Sequence, residues 1–227
     1  MTAQSTRHAR IRVWDLPTRL SHWSIVLLFG ICWWTAETDH MHWHRLAGYG
    51  VLGVVWFRLV WGFIGGETAR FNQFVRGPAA TLRYLRKLLG KGESRLPDPV
   101  GHNPLGAVSI LVMLGLLFTQ TALGLFTVNV DGIGSGPFAK WVSFDTGRRL
   151  AHLHAATFDL LLVVIGVHLS AIAFYRFARR DNLVPAMIHG FRSRPDSGHT
   201  PYFVPGWRAV IVAIGIAICV ALLVNVP

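Results

Sequence analysis

Four histidines lie within or at the ends of apolar stretches long enough to cross a membrane: His22, His44, His154 and His168. A side chain that can ionise is costly inside a bilayer and usually serves a function there. A lone histidine at such a position is more often a packed, hydrogen-bonded residue than a ligand, so its role depends on its partners. In a helix, the 14-residue spacing of His154 and His168 places them within about 40° of one face and about 21 Å apart along the axis. His152 falls about 160° from His168 and is the weaker candidate.

The chain that must position these histidines is strongly apolar. Of its 227 residues, 52% are hydrophobic and only 15% are charged, and the mean hydropathy is +0.42, whereas soluble domains are about 25% charged. Because about 20 residues cross a bilayer, we expect one all-α membrane domain over residues 1–227, with a four-helix transmembrane bundle and a fifth C-terminal transmembrane helix. The predicted spans cover residues 20–36, 46–64, 104–128, 153–174 and 207–226, and an interfacial amphipathic helix covers residues 78–89.

The distribution of basic residues predicts how these spans are oriented. The net charge is +11, and eighteen of the 22 lysines and arginines fall in the N-terminal tail and in the segments that follow the second and fourth spans. The positive-inside rule therefore places the N-terminus in the cytoplasm and the C-terminus on the opposite side. The same residues would attract anionic lipid headgroups, so the basic charge does not indicate a nucleic-acid partner.

The orientation of the spans pairs the histidines by depth. The first span runs outward and the fourth runs inward, so His22 and His168 share the cytoplasmic level. The second span runs inward from its start, so His44 and His154 share the external level. A low-spin b-type haem takes one axial imidazole on each face, and a helical bundle can supply the two from different helices. We therefore expect two non-covalent haem b groups, with these four histidines as the iron ligands.

One glycine and four arginines are in positions where they could help to bind the two haems. Gly48 lies one helical turn after His44, where a missing side chain would let a porphyrin approach the backbone. Arg58 lies on the same face at the cytoplasmic end, and Arg19 precedes His22 by one turn, so both suit the propionates of the inner haem. Two further arginines are placed for the outer haem, Arg45 and Arg149. Contact with lipid phosphate is the alternative role for each of these arginines.

Several of these motifs together resemble a known family. They are Arg19-Leu20-Ser21-His22-Trp23, His44 with Gly48 and Arg58, Gly101-His102-Asn103-Pro104, the His154/His168 pair and Gly190-Phe191-Arg192-Ser193. Over roughly residues 12 to 195 the chain is similar to the bacterial cytochrome b561 family and to the b-type cytochrome subunit of nickel–iron hydrogenases. The resemblance implies a four-helix core with two b haems in the bacterial inner membrane. It also implies electron exchange with membrane quinone and with a periplasmic or membrane-bound redox partner.

This chain differs from the hydrogenase subunits in two ways that affect which external redox partner is expected. The first external loop, residues 37–43, is very short, and a fifth span is added at residues 207–226. A c-type cytochrome in the periplasm is therefore favoured over a hydrogenase. The expected function is transmembrane electron transfer between quinone or quinol and this partner. Whether the chain alone acts as a quinone oxidoreductase, and whether it forms a homodimer, are left open.

Three polar residues could serve quinone or proton chemistry. Asp159 is a carboxylate deep in a span, where it could take a quinol proton or instead make a packing hydrogen bond. His102 and Asn103 precede the third span and could line a quinone pocket near the inner haem, or merely cap the helix before Pro104. A separate metal site at the alternating histidines of residues 40–44 is disfavoured, because such loop histidines are usually solvated.

Two other functions remain as alternatives. A self-contained superoxide oxidase would keep both haems and pass electrons to quinone, but the external loops carry no excess of positive charge to attract superoxide. A haem-free, proton-coupled transporter would use the histidines as a relay. That second alternative lacks the interrupted helix pair typical of many transporters.

Overall fold

The computed structural model describes residues 8–88, 90, 101–129, 135–195 and 200–225, and most of these are helical. Five long helices are found in that part of the chain: α1 (Leu16–Glu37), α2 (Met41–Ile64), α5 (Pro104–Phe126), α6 (Phe144–Phe177) and α8 (Gly206–Val224). Shorter elements connect them: β1 (His8–Arg12), α3 (Phe71–Phe74), α4 (Pro78–Leu88), α7 (Val184–His189) and β2 (Phe191–Pro195). Short 3-10 turns cover Glu67–Ala69 and Ala139–Trp141.

Four of the long helices have the length and hydropathy needed to cross a bilayer. They are α2, α5, α6 and α8, judged over the described residues. The expectation of a helical, multi-pass membrane protein is thereby confirmed. Helix α1 is as long as α5 to within one residue, but Arg19, Ser21 and His22 make its first turns more polar. It packs along the length of α2.

The helix boundaries follow from capping residues. Asp15 precedes α1 and accepts a hydrogen bond from the Thr18 amide at 2.8 Å. Asn103 does the same for α5, accepting from the Gly106 amide at 2.8 Å, and Pro104 occupies the first helical position. A side-chain acceptor and a proline at the start of a helix satisfy or remove amides that lack an intrahelical partner.

The length of α6 differs from the predicted span. The apolar run of residues 153–174 lies inside a 34-residue helix that begins at Phe144. Ser143 caps this helix by accepting from the Thr146 amide at 3.2 Å. At 1.5 Å per residue the helix is about 51 Å long, so α6 extends beyond the hydrocarbon layer. Leu89 and Val226, at the ends of two predicted helices, lie outside the described residues.

The core of the bundle is built around α2. Val51 and Val55 of α2 pack with Leu117 of α5 and Leu161 of α6, and all four are buried. Residues of α1 cover this cluster, including Ile25. Helix α8 packs on another side of α2, chiefly through Val220. Helix α2 therefore fixes the relative positions of the helices that carry the candidate histidines.

The prediction of an all-α fold was incomplete, because a two-stranded antiparallel ribbon closes one end of the bundle. Strand β1 pairs with β2, so that Arg10 lies opposite Ser193. The amides of Val13 and Trp14 then donate to the carbonyl of Gly190, at 2.8 and 3.1 Å. Gly190 has φ 89°, a left-handed conformation that glycine adopts without strain. The N-terminal tail and the segment after α6 are thus at the same end, called the ribbon end below.

The starts of α5 and α8 also lie at the ribbon end. The Trp14 ring, just before α1, is 4.3 Å from the ring of His102, just before α5. The Glu67 amide, just after α2, donates to the Tyr202 carbonyl before α8 at 2.8 Å. The helices therefore alternate in direction through the bundle. The α1–α2 turn and the start of α6 lie at the opposite end, called the far end below.

Candidate functional site: two histidine pairs

The imidazole rings of His44 and His154 face each other near the far end of the bundle. Their centroids are 6.1 Å apart and their planes are inclined at 78°. His44 is in the first turn of α2, and His154 is ten residues into α6. A metal–imidazole bond is about 2 Å long, so this separation leaves room for one metal atom between the rings.

Backbone carbonyls hold both rings of this outer pair. The Nδ1 atom of His44 is 2.9 Å from the Cys32 carbonyl oxygen on α1. The Nδ1 atom of His154 is 2.9 Å from the Gln120 carbonyl oxygen on α5. A carbonyl can only accept, so each Nδ1 carries the hydrogen and each Nε2 keeps its lone pair. Metal-binding histidines are usually held in this way.

The inner pair, His22 and His168, lies toward the ribbon end. The two side chains interact electrostatically and are both partly buried. The Nδ1 atom of His22 is buried and has no hydrogen-bond partner among the described residues. The Trp23 ring meets the His22 ring edge-on at 5.0 Å, and the Trp23 indole N–H donates to the Met187 carbonyl at 3.1 Å. The α7 segment thus covers this end of α1.

Two predicted arginines lie at the ribbon end, as the inner pair does. Arg58 is only 6% exposed, and its Nη1 donates to the Ala69 carbonyl at 3.3 Å. Its guanidinium lies 5.3 Å from the centre of the Phe71 ring. Arg19 donates through Nη1 to the Ile188 carbonyl, while its Nε is buried and has no partner among the described residues. Buried guanidinium groups attract carboxylates strongly, because little water screens them.

His102 lies between two aromatic rings at the ribbon end. Its ring centroid is 4.3 Å from that of Trp14 and 4.7 Å from that of Phe74. Burial, with a smaller contribution from Arg58 nearby, lowers the pKa of His102 to about 3. Smaller electrostatic contributions come from His168 and His22, which places His102 beside the inner pair. The ring is therefore neutral at physiological pH, and its Nδ1 is buried without a hydrogen-bond partner in the described structure.

Asn103 joins a hydrogen-bonded group that the sequence did not reveal. Its side-chain amide donates to the Tyr175 hydroxyl at 2.9 Å. The Tyr84 hydroxyl on α4 is 2.8 Å from the same Tyr175 hydroxyl. Tyr175 lies two helical turns after His168 on α6. Helix α4 is thereby attached to the ends of α5 and α6, next to His102.

Other predicted residues are not drawn into these clusters. Asp159 lies on an exposed face of α6, about 13 Å along the axis from His168. Arg149 is exposed near the start of α6, and Arg45 is half-buried. His40 pairs with the Thr38 hydroxyl at 2.9 Å instead of approaching His44. Among the described residues, no group of three metal-binding side chains is found.

The residues present fit haem groups at both levels. At the far end, a Cβ at Gly48 would meet no atom within 4 Å, so open space adjoins the His44 face of α2. At the ribbon end, several buried donors have no acceptor among the described residues; they include Arg19 Nε, Arg70 Nε, Thr18 Oγ1 and Thr68 Oγ1. A haem propionate supplies the carboxylate oxygens that such donors need. His44 and His154 would hold one haem, and His22 and His168 the other.

Comparison with known proteins gives two matches. The family model for prokaryotic cytochrome b561 matches residues 13–190. A probable Ni/Fe-hydrogenase B-type cytochrome subunit from Azotobacter chroococcum mcd 1 is 25% identical over 229 residues. That alignment covers 84% of this chain and 93% of the relative. The family match begins just before α1 and ends at Gly190, so α8 lies outside it.

Proposed function

Because this chain belongs to the prokaryotic cytochrome b561 family, a family of haem b membrane electron carriers, we propose that it carries electrons across the bacterial inner membrane through two b haems. Quinone or quinol exchanges electrons at the ribbon end, and a redox protein exchanges them at the far end. The observation that carries this proposal is the presence of two histidine pairs at two levels of one helical bundle.

The chain's own residues separate the two levels. His154 and His168 lie on one helix about 21 Å apart along its axis. When bound, haem supplies reversible one-electron chemistry at each level. The outer histidines are oriented by α1 and α5 carbonyls, and the inner pair is surrounded by buried arginines and aromatic rings. The bundle therefore supplies ligand positions toward both sides of the hydrocarbon layer, which is about 30 Å thick.

The proposed orientation places the ribbon end in the cytoplasm. In the sequence, eighteen of the chain's 22 lysines and arginines fall in the N-terminal tail and in or beside the connections that follow α2 and α6, as the positive-inside rule requires of cytoplasmic segments. Exposed tryptophans at the far end, including Trp34 and Trp43, suit the opposite membrane interface. In this orientation α1 is a further span, because it is antiparallel to α2 and ends at the far end. The C-terminus is then periplasmic.

The quinone site is proposed at His102 and Asn103. Both lie at the ribbon end beside the inner pair, and the buried Nδ1 of His102 has no partner among the described residues. Reduction of one quinone consumes two electrons and two protons. A neutral imidazole can pass a proton at such a site, and the Asn103 amide, linked to Tyr175, can orient a carbonyl oxygen. Asp159 lies apart on the exposed face of α6, so a proton role there would be separate from this site.

The external partner is proposed to be a c-type cytochrome. The relative's name connects that protein with a Ni/Fe hydrogenase. In this chain, only residues 38–40 separate α1 from α2, which leaves little external surface for a large subunit. A small protein that brings its haem edge close to the far end needs less contact area, as is typical of transient electron-transfer complexes.

Proteoliposomes test the proposal directly. The chain is inserted with the far end outward, the membrane is loaded with quinol, and oxidised cytochrome c is added outside as an impermeant acceptor. We expect quinol-dependent reduction of the external cytochrome, which His168→Ala abolishes and His152→Ala, at an exposed position on the same helix, leaves intact. Absence of transmembrane electron transfer in both directions, with haem fully bound, would contradict the proposed function.

A further inference from the structure

The two histidine pairs are held by different kinds of contact. In the outer pair, both Nδ1–H groups donate to carbonyl oxygens at 2.9 Å. In the inner pair, the buried Nδ1 of His22 has no acceptor among the described residues. Among the described residues, the His168 ring makes no hydrogen bond either. The outer ligands are therefore more strongly polarised than the inner ones.

This difference affects how readily each site accepts an electron. A hydrogen bond from Nδ1–H to an acceptor makes the imidazole a stronger electron donor, which stabilises oxidised iron and lowers the reduction potential. At the inner level, the guanidinium groups of Arg58 and Arg19 add two positive charges, of which the buried Asp15 carboxylate near Arg58 offsets one. Positive charge favours the reduced state, which carries one positive charge fewer. Both effects separate the two potentials in the same direction.

We propose that the far-end site has the lower reduction potential and the ribbon-end site the higher, and that two positioning residues set the size of this difference: Gly124 increases it and Thr35 decreases it. The inference rests on the proposed function. Transfer of an electron from the far-end site to the ribbon-end site is then downhill, whereas the reverse transfer in the quinol experiment is driven by the oxidised cytochrome c outside.

Thr35 acts on the carbonyl that holds His44. Its side chain is almost fully buried, and its single hydroxyl hydrogen is shared between the Ile31 carbonyl at 2.6 Å and the Cys32 carbonyl at 3.1 Å. The Cys32 carbonyl therefore accepts from both Thr35 and His44. A second donor withdraws electron density from the oxygen and weakens its bond to the imidazole. Thr35→Val removes that competition while keeping the shape of the side chain.

Gly124 makes room for the ring of His154. A Cβ at residue 124 would lie 3.1 Å from His154 Cε1 and 3.5 Å from Nδ1. The absent side chain allows the imidazole to lie against α5 and reach the Gln120 carbonyl. Gly124→Ala is expected to push the ring away and lengthen that hydrogen bond. Gly115 is the matched control on the same helix, since a Cβ there would meet no atom within 4 Å.

Optical redox titration of the purified protein tests the inference. His168→Ala, which keeps the outer pair, and His44→Ala, which keeps the inner pair, assign each midpoint potential to a site. In the wild type we expect the outer midpoint to be the lower. Gly124→Ala should raise the outer midpoint, Thr35→Val should lower it, and Gly115→Ala should move neither. In all three variants the inner midpoint should stay unchanged.

Two results would overturn the inference while leaving the proposed function standing. One is a wild-type protein with two haems in which the inner midpoint is the lower. The other is a Gly124→Ala variant that binds both haems and shifts only the inner midpoint or neither. Electron paramagnetic resonance of the oxidised protein gives a second readout, because a reoriented His154 ring changes the outer haem signal alone. A protein with fewer than two haems would instead contradict the proposed function.

Discussion

Backbone oxygens position the outer histidines, whereas aromatic rings and buried cations surround the inner ones. His44 and His154 each donate to a carbonyl of a neighbouring helix. A carbonyl of a packed helix moves little, so the direction of each ring is fixed by the packing of α1 on α2 and of α5 on α6. At the ribbon end, His102 is enclosed by Trp14 and Phe74. That enclosure explains why its ring remains neutral.

His102 makes the stability of the protein depend on pH. Its pKa is lowered from 6.5 to about 3 in the folded chain, so between these values the unfolded chain binds one more proton than the folded chain. Stability is therefore fully present above pH 6.5 and falls as the pH decreases toward 3, by at most about 1.4 kcal/mol per pH unit. In His102→Phe this dependence should be weaker. Thermal unfolding in detergent between pH 7.5 and pH 5 measures it.

The control for this prediction is His152→Phe, at an exposed position on α6. It should keep the pH dependence of the wild type. An unchanged pH dependence in His102→Phe would show that the ring is protonated in the folded chain.

Residue spacing indicated which histidines lie at the same depth, but it could not show how they are held. The His154/His168 spacing follows from helical geometry alone. The acceptors of the outer pair are main-chain atoms, and a carbonyl oxygen has no signature in the sequence. The role of Gly124 depends on the close approach of α6 to α5, which spacing within one helix does not describe. Tyr84 and Tyr175 were missed because their contact joins segments 91 residues apart.

At the scale of secondary structure, helix α4 packs against α5 and is hydrogen-bonded to the bundle at the Tyr175 hydroxyl. Tyr175 bonds both Tyr84 of α4 and Asn103 at the start of α5. Leu82 and Leu85 of α4 are exposed, alongside Arg83 and basic neighbours. Such a helix suits the membrane surface, with leucines toward the lipid and bases toward the headgroups. The contact with Tyr175 holds this surface helix against the ribbon end.

Tyr175→Phe tests this attachment. Loss of the hydroxyl removes two hydrogen bonds, each contributing about 1 kcal/mol, so α4 should open more often. Hydrogen–deuterium exchange should become faster in residues 78–88 and at the start of α5, while α2 stays protected. Tyr202→Phe is the control, because its ring is exposed. Exchange in α4 that is equally fast in both variants would show that Tyr175 does not anchor the helix.

The helices were predictable from apolar runs, whereas the ribbon was not. Runs of about 20 apolar residues can satisfy their backbone in a bilayer only as helices, and the four spanning helices confirm that inference. Strands β1 and β2 are five residues each, rich in arginine, and lie about 180 residues apart. Neither shows a strand pattern by itself. The extra turns of α6 before Leu153 were also missed, because residues 144–152 are too polar for a hydropathy search.

At the scale of the whole molecule, the ribbon end gathers segments that are distant in sequence. The tail before α1, the segment after α6 and the approach to α8 are hydrogen-bonded or packed there. In the sequence, eighteen of the 22 lysines and arginines fall in the N-terminal tail and in or beside the connections that follow α2 and α6. The tryptophans of the far end provide the opposite interface. This polarity supports a cytoplasmic ribbon end and a periplasmic far end.

Reporter fusions test this orientation. Alkaline phosphatase is active only when exported, so we expect activity from a fusion after Pro227 and none from a fusion after Arg180. Green fluorescent protein at the same two positions should give the reverse pattern. Active phosphatase at Arg180 together with inactive phosphatase at Pro227 would reverse the proposed topology.

A haem count per chain tests the central claim, that four histidines bind two haems at two levels. Pyridine haemochrome spectra of the purified protein should give two b haems for the wild type and for His152→Ala. They should give one haem for His44→Ala and one for His168→Ala, with different reduced-minus-oxidised spectra. A wild-type protein with one haem or none, or a His44→Ala variant that retains two haems with unchanged spectra, would contradict the account.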